Sequence, residues 1–180
     1  MLKLCHFGWL PVILTLTLLL GCTSLTAEKT PLPPDRIETI QVEDLDIAVG
    51  QTIYVPAYSE IYYASNRTIN LAVTLSVHNT DLNHSIVLTS VRYYDTQGQL
   101  VREFLSQPEQ LGPLVATNFF VEELDTSGGL GANFIVEWVA EQPVYEPVVE
   151  AVMIGTISSL SFSFVSPGRV ISQTETSAVQ

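Results

Sequence analysis

His78, Asp81 and His84 fall in one polar stretch, HNTDLNHS. Imidazole nitrogens and a carboxylate are transition-metal ligands, so the three form a candidate metal site if the chain folds them together. Their spacing matches no established metal motif. Asn79, Asp81 and Asn83 equally suit a turn whose side chains bond nearby backbone, and a polar loop solvating a hairpin is the plainer reading. Glu122, Glu123 and Asp125 precede Gly128, Gly129 and Gly131. Clustered carboxylate oxygens beside pliable backbone are what calcium takes, and Glu43, Asp44 and Asp46 make a second acidic group. Neither group follows the alternating order of a calcium loop, and a solvated acidic face explains both without an ion.

Tyr54, Tyr58, Tyr62 and Tyr63, with Tyr93 and Tyr94, form the densest aromatic set. Aromatic rings on a sheet can stack on sugars or anchor a protein partner. They also pack as ordinary cross-strand pairs. The stretch YVPAYSEIYY is the candidate binding surface. The catalytic inventory is thin: there is no G-x-S-x-G elbow and no H-E-x-x-H helix. Paired carboxylates for a hydrolase are arithmetically available among 19 acids, but no spacing selects a pair. The GGLG segment lacks the Lys-Ser/Thr of a phosphate-binding loop. Its glycines suit positive φ in a tight strand connection.

The N-terminus reads MLKLCHFGWLPVILTLTLLLGC. Lys3 is followed by an uncharged stretch from Phe7 to Gly21, too short to span a membrane comfortably and laid out as a secretory signal peptide over residues 1–21. Leu19, Leu20, Gly21 and Cys22 resemble the lipobox of bacterial lipoproteins, with Leu20 larger than the residue common there. The resemblance implies diacylglyceryl transfer to the Cys22 thiol, cleavage after the small Gly21, and an exported protein held to a bacterial membrane by acyl chains. Each buried methylene contributes about 0.8 kcal/mol to such an anchor. Thr23, rather than Asp, follows Cys22, which by resemblance to lipoprotein sorting favours release from the inner membrane. Cys5 would leave with the leader, so neither thiol would remain for catalysis or zinc.

The 180 residues suit one domain with appendages. Apolar residues make up 47% and charged ones 14%, which excludes a disordered chain. The charge of −12 excludes nucleic acid as a main partner and leaves acyl chains, not basic residues, to hold the protein on an anionic bilayer.

Residues 22–36, with three prolines and no hydrophobic period, read as a flexible tether. Residues 172–180 read as a frayed tail. Between them, residues 37–171 alternate with period two. Leu71, Val73, Leu75 and Val77 share one face, as do Val87, Thr89, Val91 and Tyr93, and Phe134, Val136, Trp138 and Ala140. Further strands are predicted at 37–42, 52–55, 100–105, 118–122, 150–155 and 161–165. Turns fall at Asp95–Gln99, Asp125–Gly131 and Gln142–Pro147, with Gly155 and Pro167 punctuating the last strands. No convincing helical period exists. The predicted fold is an all-β, antiparallel β-sandwich of immunoglobulin or fibronectin III type.

YVPAYSEIYY (54–63), LAVTLSVHNTD (71–81), VRYYDTQGQLV (91–101), GGLGANFIVEW (128–138), EAVMIGT (150–156) and SFSFVSPGRVI (161–171) resemble a bacterial family known as domain of unknown function 3124. The resemblance implies a small exported protein or lipoprotein and carries no activity, cofactor or catalytic residue. Taken together, the residues predict a non-catalytic binding or accessory module of the cell envelope, with another envelope protein or a glycan as partner. A calcium-dependent binding domain is the alternative and a carboxylate hydrolase a weaker one.

Overall fold

A strand whose apolar residues recur every second position has one face to bury, and it can bury it only against another such face. The computed structural model describes residues 40–175. The leader, Cys22, the tether, residues 37–39 and the end of the tail at 176–180 lie outside them. The described strands are β1 (Val49–Pro56), β2 (Glu60–Ala64), β3 (Arg67–Asn70), β4 (Ala72–His78), β5 (Ile86–Tyr94), β6 (Leu100–Glu103), β7 (Glu109–Leu111), β8 (Ala116–Val121), β9 (Asn133–Ala140), β10 (Val148–Ile157), β11 (Leu160–Pro167) and β12 (Arg169–Glu175). One sheet has the order β12-β1-β9-β5-β6, with β7 also on β5; the second has the order β11-β10-β4-β8; β2 and β3 form a separate two-stranded ribbon. Every pairing is antiparallel. No helix among the described residues is long and apolar enough to cross a membrane.

The two larger sheets share one apolar core. Val73, Leu75 and Val77 of β4 and Val91, Phe134, Val136 and Trp138 of the other sheet are all buried. Phe104, just past β6, packs edge-on against Phe119 of β8 at 5.6 Å and lies 5.7 Å from Phe134 of β9, so it bridges the layers. The predicted antiparallel sandwich is therefore present. Its order does not establish the immunoglobulin or fibronectin III variety.

Four local expectations are corrected. The stretch predicted as a strand at 37–42 contributes no strand among the described residues; a 3-10 turn occupies Val42–Asp44. Residues 172–175 are not tail but the end of β12, because Ser172, Gln173, Thr174 and Glu175 pair with β1. Thr89 leaves the expected face. A register shift between Leu88 and Ser90 flips the phase, so Ile86 and Leu88 point inward before it, and Val91 and Tyr93 after it. Gly155 does not punctuate a strand; it lies within β10, where a Cβ would meet Leu71 Cδ2 at 2.6 Å and Phe162 Cζ at 2.9 Å.

Pro167 does end β11, and the chain turns at Gly168 from one sheet to the other. The Gly168 N–H donates to Val149 O at 2.8 Å, and a Cβ there would sit 2.6 Å from Ile53 Cγ2. The corner is thus closed by backbone approach. Replacing fully buried Leu75 by alanine is expected to cost about 2–5 kcal/mol of stability in urea denaturation. Exposed Ser163→Ala is expected to stay within about 0.5 kcal/mol of the parent.

Candidate functional site

The stretch from His78 to Ser85 is not a hairpin loop: β4 and β5 belong to different sheets, so it carries the chain across the sandwich. Backbone that crosses in this way loses its ladder partners, and buried side chains replace them. Asn79 donates through Nδ2 to the carbonyls of His84 (2.8 Å), Leu111 (3.1 Å) and Gly112 (2.9 Å). Its Oδ1 accepts from the Asp81 N–H at 3.0 Å. Asp81 Oδ1 accepts from the N–H groups of Asn83 and His84, both at 2.9 Å, and Oδ2 from the N–H of Tyr145 at 3.2 Å. Thr80 Oγ1 donates to Glu146 O at 2.8 Å. Asn79 and Asp81 are 2% and 5% exposed. The predicted turn bonds exist, but they reach well beyond one turn.

The candidate metal set is not assembled. His84 Nδ1 lies 3.2 Å from Asp81 Oδ1. His78, at an outward position of β4, instead has its Nε2 2.7 Å from Ser76 Oγ. Strand alternation carries it to the face away from the buried Asp81. No group of three metal-ligating side chains forms among the described residues.

The acidic candidates also remain apart. Glu122 and Glu123 are exposed. Asp125 is engaged through both oxygens: Oδ1 accepts from Ser127 Oγ at 2.5 Å and Oδ2 from Arg102 at 2.9 Å. The Ser127 hydroxyl is the chief cause that holds the Asp125 carboxyl below the usual range; burial opposes it, and the Ser127 N–H and Arg102 add to the lowering. The following glycines serve packing. A Cβ on Gly128 would run into the Tyr93 hydroxyl, and Gly129 has φ +73°. Tyr93 itself is fully buried, which pushes its phenol pKa up.

The tyrosines do not form one cluster. Tyr54 occupies an outward position on β1, and Tyr58 packs half-buried against the core. Tyr62 and Tyr63 stand on the β2–β3 ribbon, 63% and 41% exposed. Arg67 lies over the Tyr63 ring at 5.0 Å, a cation–π contact. No ring pair among the described residues joins any two of the four. The ribbon is rooted in the glycine loop: Ser59 donates through N–H and Oγ to Gly129 O, and Leu71 N–H donates to Ser59 O.

One polar residue escaped the sequence analysis. Gln51 sits between inward Val49 and Ile53 on β1 and is 5% exposed. A polar side chain at an inward position of an alternating strand was the available signal.

The Asp81 carboxyl is held at about 2, against an ordinary 3.8. The Asn83 N–H is the chief cause, helped by the N–H groups of His84 and Tyr145 and by the His84 ring, with burial opposing. The ionised form therefore stabilises the fold fully above about pH 4, and this contribution is lost as pH falls towards about 2. Urea denaturation of the parent is expected to weaken across that window. Asp81→Asn should be less stable at pH 7 and show a flatter decline; a parallel decline would contradict the assignment.

No curated protein matches the chain. The fold is similar to a crystal structure of Thermotoga maritima 1070 at 10% identity and a TM-score of 0.40, over 69% of this chain and 96% of that one. That likeness is too loose to argue from. The model of the family described as "Protein of unknown function (DUF3124)" matches residues 50–171, from β1 into β12, and the chain belongs to that family.

Proposed function

We propose that the protein is an exported, lipid-anchored component of the bacterial cell envelope and acts as a non-catalytic binding module through its β2–β3 ribbon. The anchor reading rests on the leader and on Cys22. The binding reading rests on one observation: Tyr62 is 63% exposed on a ribbon that belongs to neither large sheet. Burial in the core does not require that ring. Tyrosine and arginine side by side, as at Tyr63 and Arg67, are the residue types that dominate binding energy at protein interfaces, and the same rings suit sugar stacking. The partner is another envelope protein or a glycan.

Crosslinked capture from the native envelope with the full-length chain tests the surface. Tyr62→Ala with Tyr63→Ala is expected to weaken capture of a single reproducible partner by about tenfold or more, the equivalent of roughly 1.4 kcal/mol, with an unchanged melting temperature. Equal capture by parent and variant overturns the ribbon as the binding surface. Cys22→Ser is expected to abolish incorporation of labelled palmitate and release the protein from the membrane fraction. Retention of both label and membrane association would refute the anchor.

A further inference from the structure

β11 (Leu160–Pro167) ends the second sheet, with β10 on one side and no strand on the other among the described residues. Which of its backbone groups are free follows from the ladder. The Gly168 N–H donates to Val149 O at 2.8 Å, and pairing runs from Glu150 opposite Pro167 to Ile157 opposite Leu160 without a register shift. In an antiparallel pair, opposed residues exchange both hydrogen bonds at every second position. Ser166, Phe164, Phe162 and Leu160 therefore turn their N–H and C=O to β10, while Ser161, Ser163 and Val165 turn theirs outward. Natural sheet edges are blunted by shortness, charge or a bulge. β6 and β7 have only 4 and 3 residues. β12 carries Arg169 and Glu175 and a register shift against β1. β8 runs into Glu122 and Glu123. β11 has 8 residues, an even register and no charge. Pro167 interrupts it only at its end.

Charge and register together select the occupant of this edge. A chain of charge −12 repels its own copies over most of its surface. No charged residue lies between Ala151 and Gly168, the longest such run among the described residues, so the β10–β11 hairpin is where two copies can meet without repulsion. The edge is also self-complementary. A second β11, antiparallel and with Ser163 opposite Ser163, sets Ser161 opposite Val165, so every outward N–H and C=O of these residues finds a partner. Pro167, which has no N–H to give, then falls opposite Ser159 of the turn, outside the paired block. The same register sets Phe162 opposite Phe164 at the closer, non-hydrogen-bonded spacing. These two rings already stand parallel at 6.5 Å and half-buried against the core, so the seam would join aromatic to aromatic on both sides of the axis. Leu160 and Val165, 69% and 52% exposed, border it. We propose that the protein forms a twofold dimer by antiparallel pairing of β11 with β11 of a second copy about Ser163, which joins two four-stranded sheets into one. The inference does not depend on the ribbon as a binding surface.

Single cysteines at exposed positions read this register in the full-length chain. In the native envelope, Ser163→Cys is expected to give a disulfide dimer on oxidation, because opposed residues lie about 5.5 Å apart at Cα and a disulfide spans roughly 4.4–6.8 Å. Ser161→Cys alone and Val165→Cys alone should cross-link no more than the parent, whereas the two variants co-expressed should cross-link with each other. Purified in detergent, the parent is expected to sediment as a dimer at micromolar concentration. Ser163→Glu sets like charges face to face and should raise the dissociation constant at least about tenfold, with an unchanged circular dichroism spectrum. Tyr62→Ala should leave the dimer intact, which separates this seam from the ribbon. A monomeric parent overturns the inference, as does equal cross-linking from positions 161, 163 and 165, or a dimer indifferent to Ser163→Glu. Cross-linking of Ser163→Cys to a different envelope protein assigns the edge to a foreign strand and also overturns it. Should Ser163→Glu fail to fold, the cysteine series decides.

Discussion

Asn79 and Asp81 bear the constraint on which this sandwich depends. The chain repeatedly leaves one sheet for the other, and each crossing strips backbone groups of their ladder partners. At one end of the strands three crossings meet: β4 to β5, β7 to β8, and β9 to β10. The two hydrogens of the Asn79 amide are shared among carbonyls of the first two connections, and Asp81 draws in the Tyr145 N–H of the third. Buried polar groups are tolerable only when satisfied in this way. An apolar residue at either position would leave several backbone groups unpaired at once.

The same knot reaches into the β9–β10 loop. Thr80 binds the Glu146 carbonyl while Asp81 binds the neighbouring Tyr145 N–H, so the backbone carrying the Glu146 carboxylate is fixed before that carboxylate meets Gln51. At the opposite end of the strands a second knot roots the ribbon. Thr96 Oγ1 donates to Gly128 O and accepts from the Gly131 N–H, while Ser59 bonds Gly129 O. Tyr93 packs against Gly128 in a space that a Cβ would fill. The exposed ring of Tyr62 therefore projects from a fixed base.

The strands of the core were legible where alternation is uninterrupted. Phe134, Val136, Trp138 and Ala140 point inward as their spacing demands, and Leu71 to Val77 do the same. Legibility failed where a nonlocal partner changed the local pattern. The register shift at Thr89 follows from the way β9 pairs with β5. Ser172 to Glu175 form a strand because β1 offers an edge, despite a polar composition that alone suits a tail. The candidate sites fared worse. Short spacing suggested that His78, Asp81 and His84 could converge, yet strand alternation sends His78 outward while the crossover turns Asp81 in.

By itself the sequence determined an all-β antiparallel sandwich, because period-two alternation with turn residues between the runs admits no helical solution. It also settled the family, through segments spread from Tyr54 to Ile171, and placed glycines where positive φ or close approach is needed, as at Gly98 and Gly129. Tertiary structure alone decided that the polar loop after β4 is a crossover, that Asn79 reaches the carbonyls of Leu111 and Gly112, and that Gln51 and Trp138 face each other across one ladder with Glu146 opposite. Each of these joins residues far apart in the chain. Periodicity reports which face a residue takes, and only the pairing of strands reports what stands on the other side.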